Sequence, residues 1–250
     1  MCFTVAVVRE KVILITEQYY NSLPAKSIKK NHQTGTEIPN HYITSGFTHP
    51  KLAVLTNKGF ALKEWGLIPD WTSSPVQAHD LQNMTLNAMG ETVFEKPTFR
   101  KNIVSNRCLL PISGFFEWRE FNHNKYPYYI QATDAPGFLL ASIYDQWIDK
   151  STAVIHDSFS IITTPANPLM EMIHNIKKRM PLILDLENAQ KWLNPSTTTD
   201  QIKSIIRPYN ETKMKAYTIS KFASNNKLNR NYPEILDEVT FPELNQQSLF

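Results

Sequence analysis

Cys2 directly follows the initiator Met1, so removal of that methionine leaves a free α-amine and a thiol on one residue. No other position in a chain offers that pair. Methionine aminopeptidases, or self-processing, expose small second residues such as Cys, and the reference pKa values, about 7.7–8.0 for the amine and about 8.5 for the thiol, leave both partly reactive near neutral pH. An aldehyde would meet the amine first as a Schiff base, and the thiolate would close on that imine to a five-membered thiazolidine. An amide or ester carbonyl would instead meet the thiolate as nucleophile with the amine as base. The plainer alternative is a cysteine that packs as a small hydrophobe.

Three further residues have side chains suited to such chemistry. Glu117 lies among aromatic residues in Gly114-Phe115-Phe116-Glu117-Trp118, where desolvation would raise its pKa toward proton transfer; strand alternation would otherwise turn it to water. His174 follows the apolar positions Leu169, Met170 and Ile173 at an expected helix C-terminus, whose dipole favours the protonated imidazole. It would otherwise be a capping or surface group. Asn87, before an expected helix start, could donate its amide to an oxyanion or hold a sugar oxygen, or could simply form a cap or turn. Cys108 in Arg107-Cys108-Leu109-Leu110-Pro111 reads as a buried core thiol. Lys177, Lys178 and Arg179 could meet phosphates or form a solvated loop, and Trp65 and Trp71 around Pro69 could stack an unpaired base or edge a core.

The elements that must position these groups are mostly strands. Apolar and β-branched runs at Phe3–Val8, Val12–Thr16, Leu52–Thr56, Phe60–Leu67, Cys108–Trp118, Tyr126–Gln131, Gly137–Trp147, Phe159–Thr164, Arg179–Leu184 and Met214–Ile219 read largely as strands. Helical patterns fall at Thr16–Tyr20 with its flanks, near Glu91–Phe94, and at Pro168–His174, Leu186–Leu193 and Thr199–Ile206. Asn167, Asp185 and Ser196 or Thr197 offer N-caps. The class is α+β with β dominant.

At 250 residues, 42% hydrophobic and 20% charged, the composition is that of a globular chain, and a formal charge of +3 predicts no nucleic-acid binding by itself; a local patch must supply it. Sixteen scattered prolines mark turns without a linker, so one domain over residues 1–223 is expected. Residues 224–250 form a polar, partly acidic tail expected to pack on that domain or fray. Two cysteines allow no disulfide framework, zinc-ligand spacing is absent, and no apolar window is long enough to span a membrane. The chain reads as soluble, cytoplasmic and metal-free.

Met1-Cys2, Trp65-Gly66-Leu67-Ile68-Pro69, Asn87-Ala88 with Glu91-Thr92, Lys96-Pro97-Thr98-Phe99-Arg100, Arg107-Cys108-Leu109-Leu110-Pro111, Gly114-Phe115-Phe116-Glu117-Trp118, Ile161-Ile162-Thr163-Thr164-Pro165-Ala166-Asn167, and Ile173-His174 with Arg179-Met180-Pro181 occur in an order that resembles the SOS response-associated peptidase family. The resemblance spans about residues 1–220. It implies curled sheets forming a barrel-like core with peripheral helices and a basic groove for single-stranded DNA. It also implies a sensor of abasic sites whose N-terminal cysteine crosslinks to the ring-opened deoxyribose as a thiazolidine, with no metal or organic cofactor. Such a sensor would work as a monomer, near the nucleoid in a bacterium.

By match of motif Cys2 is the crosslinking residue, Glu117 handles protons, Asn87 positions the reacting centre, and His174 assists ring opening and a strand-cleaving lyase side reaction. Trp65, Pro69, Trp71, Arg100, Lys101, Arg107, Lys177, Lys178 and Arg179 would contact DNA. Three departures stand out. Phe3 and Thr4 replace the family's usual Gly-Arg, Met89 replaces an arginine, and four residues rather than one separate His174 from Arg179. Fewer phosphate contacts should weaken DNA binding and flatten its salt dependence. An N-terminal-nucleophile cysteine peptidase, whether of other amide bonds or only of its own Met1 bond, and a non-covalent single-strand binder are the alternatives.

Overall fold

The computed structural model describes residues 2–23 and 38–244. Five strands close on themselves: β3 (Lys51–Thr56), β4 (Gly59–Trp65), β6 (Arg107–Ile112), β9 (Phe138–Ile148) and β10 (Ile155–Pro165). The pairs β4–β3, β3–β6, β6–β9 and β9–β10 are antiparallel, and β10 returns to β4 in parallel, completing a barrel. Closure leaves these strands no unpaired edge. Short strands extend the wall: β5 (Asn87–Met89) and β11 (Arg179–Pro181) on β10, and β12 (Ile183–Leu184) on β9. A second sheet has five strands in the order β13-β8-β7-β1-β2. These are β13 (Met214–Thr218), β8 (Asn124–Ala132), β7 (Gly114–Phe121), β1 (Thr4–Val7) and β2 (His41–Ser45).

Strand alternation sorts the core into layers. On β6, Cys108, Leu110 and Ile112 face one way, with Leu52 and Val54 of β3 and Phe159 and Ile161 of β10; Val5, Phe115 and Ile130 of the second sheet join the same cluster. Leu109, Ala141, Ile143 and Ile162 face the other way and are covered by helices: Ile15 and Tyr19 of α1 (Arg9–Asn21), Ile103 of α3 (Asn102–Ser105), Trp192 of α5 (Leu186–Leu193), and Ile202 of α6 (Thr199–Ile205). The outer face of the second sheet, with Ala6, Phe116 and Tyr129, is closed by Ala223 and Ile235 from the C-terminal segment. That segment is polar in composition but anchored. Ile235 is buried, Val239 donates its N–H to the Thr218 carbonyl at 2.8 Å, and Phe241 packs edge-on to Tyr126. Residues 245–250 lie outside the described chain.

Several sequence expectations need correction. Val12–Thr16 is helical, within α1, because Val12, Ile15, Thr16 and Tyr19 are its buried residues, a helical rather than an alternating period. Residues near Glu91–Phe94 form turns, not a helix. A helix, α2 (Pro75–Met84), went unread; it buries only Ala78 and Gln82, so its apolar signal is weak despite the Ser74 cap and Pro75 at its start. The cap of α6 is Thr198 rather than Ser196 or Thr197, in a capping box with Gln201. Asn167 and Asp185 cap α4 (Pro168–Ile173) and α5 as expected from sequence.

Arg107 is a structural residue, which corrects its reading as a DNA contact. Its guanidinium is buried and donates to the carbonyls of Ile103 and Val104 at the end of α3 and to those of Trp192 and Asn194 at the end of α5. One cation thus satisfies the terminal carbonyls of two helices. Arg107→Ala should lower the unfolding free energy by about 3 kcal/mol, since charged hydrogen bonds are lost and buried carbonyls left unpaired. The check is a urea titration showing a lower midpoint at unchanged slope.

Candidate active site

On β7 the side chains alternate. Phe115 faces the cluster between sheet and barrel, Phe116 faces the C-terminal segment, and Glu117 therefore turns inward with Phe115. Burial pushes its carboxyl up to about 8. The water-facing alternative is thereby removed. Cys2 precedes β1, whose pairing of Val5 with Phe115 and Ala6 with Gly114, continued backwards, sets Phe3 opposite Glu117. The Cys2 thiol is fully buried in the same cluster, and desolvation, then the Glu117 charge, raise its pKa well above the ordinary thiol range. This corrects the expectation of a partly ionised thiol at neutral pH. Cys108 is likewise buried, a core thiol raised by desolvation.

His174 follows α4 and brings its Nε2 to 3.8 Å from a Glu117 carboxyl oxygen, too far for a direct hydrogen bond. Its Nδ1 lies 2.9 Å from the Arg179 carbonyl and 3.3 Å from the Arg179 backbone N–H, and the shorter contact to the carbonyl favours the Nδ1–H tautomer, with the Nε2 lone pair toward Glu117. Desolvation lowers the His174 pKa, so burial outweighs the dipole of a six-residue helix and the expected cationic imidazole is instead neutral near pH 7. The four residues between His174 and Arg179 fold into a tight turn. Lys178 takes a left-handed φ of 48° and donates its N–H to the His174 carbonyl at 2.8 Å. The longer spacing therefore still delivers the imidazole to Glu117.

Arg179 holds that turn. Its guanidinium grips both carboxylate oxygens of Glu91 and donates to the carbonyl and hydroxyl of Thr163. Arg179 in turn holds the Glu91 carboxyl below its usual range. Mostly buried and held by Glu91 and Thr163, Arg179 fixes the turn that carries His174. The Glu91–Arg179 clamp was missed in sequence, although both residues belong to motifs noted there.

Asn87 lies on β5, not before a helix, and pairs in register with Ile161 of β10. Paired residues share a face, so Asn87 turns with Ile161 toward the cluster that contains Cys2. Both polar atoms of its side chain are buried without a hydrogen-bond partner among the described residues. Such an orphaned amide is unusual in a folded protein.

The other proposed DNA contacts divide. Trp65 is fully buried, donates its indole N–H to the Leu86 carbonyl at 2.8 Å and stacks on Phe159, so it fixes the strand that carries Asn87 instead of stacking a base. Pro69 is buried too. Gly66, at φ 113°, turns the chain between them where a Cβ would lie 2.6 Å from the Gln82 carbonyl. Trp71 is half exposed, and its neighbour Asp70 is ion-paired with exposed Lys101, next to exposed Arg100. Lys177 and Lys178 are exposed on the turn after His174. Among the described residues no cluster of His, Cys, Asp or Glu could hold a metal ion, and no helix is long and apolar enough to cross a membrane.

The fold is shared with solved structures. A protein from Bacteroides thetaiotaomicron matches with a TM-score of 0.85 and 38% identity over 96% of this chain and 100% of its own. One from Bordetella bronchiseptica, at 20% identity and a TM-score of 0.70 over 88% of this chain and 100% of its own, shares the architecture. The fold thus falls within a known class of strand-rich domains. The chain belongs to the SOS response associated peptidase (SRAP) family, whose sequence model matches residues 1–226. Its relatives include the abasic site processing protein YoqW of Bacillus subtilis, 36% identical over 73% of this chain and 78% of that protein. The abasic site processing protein HMCES of Xenopus tropicalis is 30% identical over 66% of this chain and 55% of that protein.

Proposed function

We propose that the chain, once Met1 is removed, captures the ring-opened aldehyde of an abasic site in single-stranded DNA as a thiazolidine on Cys2, shielding the lesion during the DNA damage response. The observation that carries this reading is the burial of the Glu117 carboxyl together with the Cys2 thiol and 3.8 Å from the His174 imidazole, burial that pushes the carboxyl up to about 8. The Cys2 amine adds to the aldehyde carbon, a proton passes from nitrogen to oxygen, and a carbinolamine results. Glu117 gives its proton to the departing hydroxyl, which leaves as water, and an iminium remains. The thiol then passes its proton to the Glu117 carboxylate while sulfur bonds to the iminium carbon. The acid is regenerated, and the net reaction releases one water.

A neutral buried thiol suits this order, because it ionises only once an iminium cation stands beside it. The same burial disfavours the peptidase alternative, whose thiol would have to ionise with no iminium cation beside it. The neutral His174 would draw the hydroxyl proton that opens the sugar ring and serve the lyase side reaction, and Asn87 would give its orphaned amide to a sugar oxygen. Trp71, Arg100, Lys101, Lys177 and Lys178 are the exposed groups fitted to a single strand.

The test compares an abasic oligonucleotide with its aldehyde-free reduced counterpart. Only the aldehyde should give an adduct that survives denaturation. Equal, salt-reversible binding of both without an adduct would leave a non-covalent binder, and turnover of peptides without an adduct would favour the peptidase.

A further inference from the structure

A cleft of about 780 Å³ opens between the second half of α1, the turn from β8 into β9, the start of α5 and the segment leading into β13. No residue before Ile15 lines it, and it contains none of Cys2, Asn87, Glu117 and His174. Its floor is apolar: Ile15, Phe138, Leu139, Ile183 and Leu184 are all buried. The exposed part of the lining carries three carboxylates, Asp134, Asp185 and Glu187, against one ammonium, Lys213. A volume of this size over an apolar floor with a few polar groups is that of a small-molecule site.

The carboxylates are not equivalent. Glu187 is paired with Lys191 at 2.6 Å, one turn on in α5. Asp185 accepts the Asn188 N–H at 2.8 Å as the cap of α5, through one of its two oxygens. Asp134 is exposed and makes no ion pair among the described residues. Tyr209 brings Asp134 and Asp185 together: its ring packs edge-on to Phe138 with centroids 6.0 Å apart, and its carbonyl accepts from the Asn167 amide at 2.8 Å. Burial, then Asp134 and Asp185, raise the pKa of its phenol, so both carboxylates lie within electrostatic reach of it. Two carboxylates around one aromatic ring stabilise a positive charge, since ammonium N–H groups donate to the carboxylates and the ring face attracts the cation. Lys213 limits that charge to one, because a second ammonium in the same cleft would be repelled by it.

We propose that this cleft binds a small organic monocation, a primary amine with an apolar body, whose ammonium is held by Asp134, Asp185 and Tyr209 and whose body lies on Phe138, Ile183 and Leu184. The single charge answers the excess of carboxylates, and the apolar body removes from water the floor side chains that face the cleft. The proposal is independent of the abasic-site reading, because it uses no residue of that site.

The experiment titrates phenethylamine against the full-length chain and follows the NMR signals of the ligand, with 2-phenylethanol as its neutral counterpart and spermidine as a polycation. Phenethylamine should bind saturably, and 2-phenylethanol at least about tenfold more weakly, the loss expected when hydrogen bonds between charged groups are removed. Asp134→Asn and Asp185→Asn should each weaken phenethylamine about tenfold. Asparagine caps a helix as well as aspartate does, so the second variant keeps α5 in place. Tyr209→Leu should weaken binding about fivefold through loss of the ring face. Asp200→Asn, at the start of α6 and outside the lining, should bind as wild type. Spermidine should bind no more tightly than phenethylamine, and a urea titration of each variant separates lost contacts from lost fold. Alcohol and amine binding equally, a folded Asp134→Asn or Asp185→Asn that binds as wild type, tighter binding of spermidine, or no saturation up to about 10 mM phenethylamine would each overturn the proposal.

Discussion

In a processed chain carrying Cys2→Ser, the adduct that survives denaturation should fall below detection, while borohydride should still trap a Schiff base to the same abasic oligonucleotide. Serine is small enough for Met1 removal and keeps the α-amine, so the first bond can form. Its hydroxyl is a poorer nucleophile than a thiol toward the iminium, and the imine hydrolyses back unless reduced. The variant separates the two groups that Cys2 combines. Cys2 is buried in a close-packed cluster with Trp65, Leu86 and Phe159, so the exchange also places a hydroxyl in an apolar site. A urea titration run alongside would distinguish lost chemistry from lost fold. A stable adduct with Cys2→Ser would show that sulfur is not the second nucleophile.

Glu117→Gln should slow capture by about 10²–10⁴-fold, the usual contribution of a positioned general acid. Its pH behaviour is the sharper readout. With the folded carboxyl at about 8, the wild-type rate should fall as pH rises through that value, and the variant should lack this limb. Stability should also fall as pH rises, but over a lower range. The folded state keeps a proton that the unfolded chain releases above its ordinary value of 4.5, so stability is fullest below 4.5 and is lost until the folded carboxyl itself ionises near 8. At one pKa unit per about 1.4 kcal/mol, the loss is on the order of 3 kcal/mol by pH 7. Glu117→Gln removes it, so the variant should gain on wild type in urea midpoint between pH 5 and 8 while losing activity. A variant that loses both together would mark Glu117 as a structural residue.

How much of this was legible in the sequence follows from the range of the interactions involved. Apolar and β-branched runs disclosed β6 with β7, as the single run Cys108–Trp118, and β10, because such runs are local, and Asp185 and Asn167 announced their helices because a cap acts within three residues. α2 buries too little to show a period, and the apolar run in α1 was too short to separate strand from helix. Glu117 was singled out by its aromatic neighbours, but only pairing with β1 decided which face it takes. The intramolecular partners of Arg107, Arg179 and Trp65 stayed hidden because a sequence shows charge and rings but not what they bind. Those partners lie up to 88 residues away, as Glu91 does from Arg179.

The most direct test of the central claim is the intact mass of purified protein before and after incubation with a single-stranded oligonucleotide carrying one abasic site. The expected protein lacks Met1 and gains the mass of the oligonucleotide less one water. A fully processed protein whose mass does not change would contradict thiazolidine capture by Cys2.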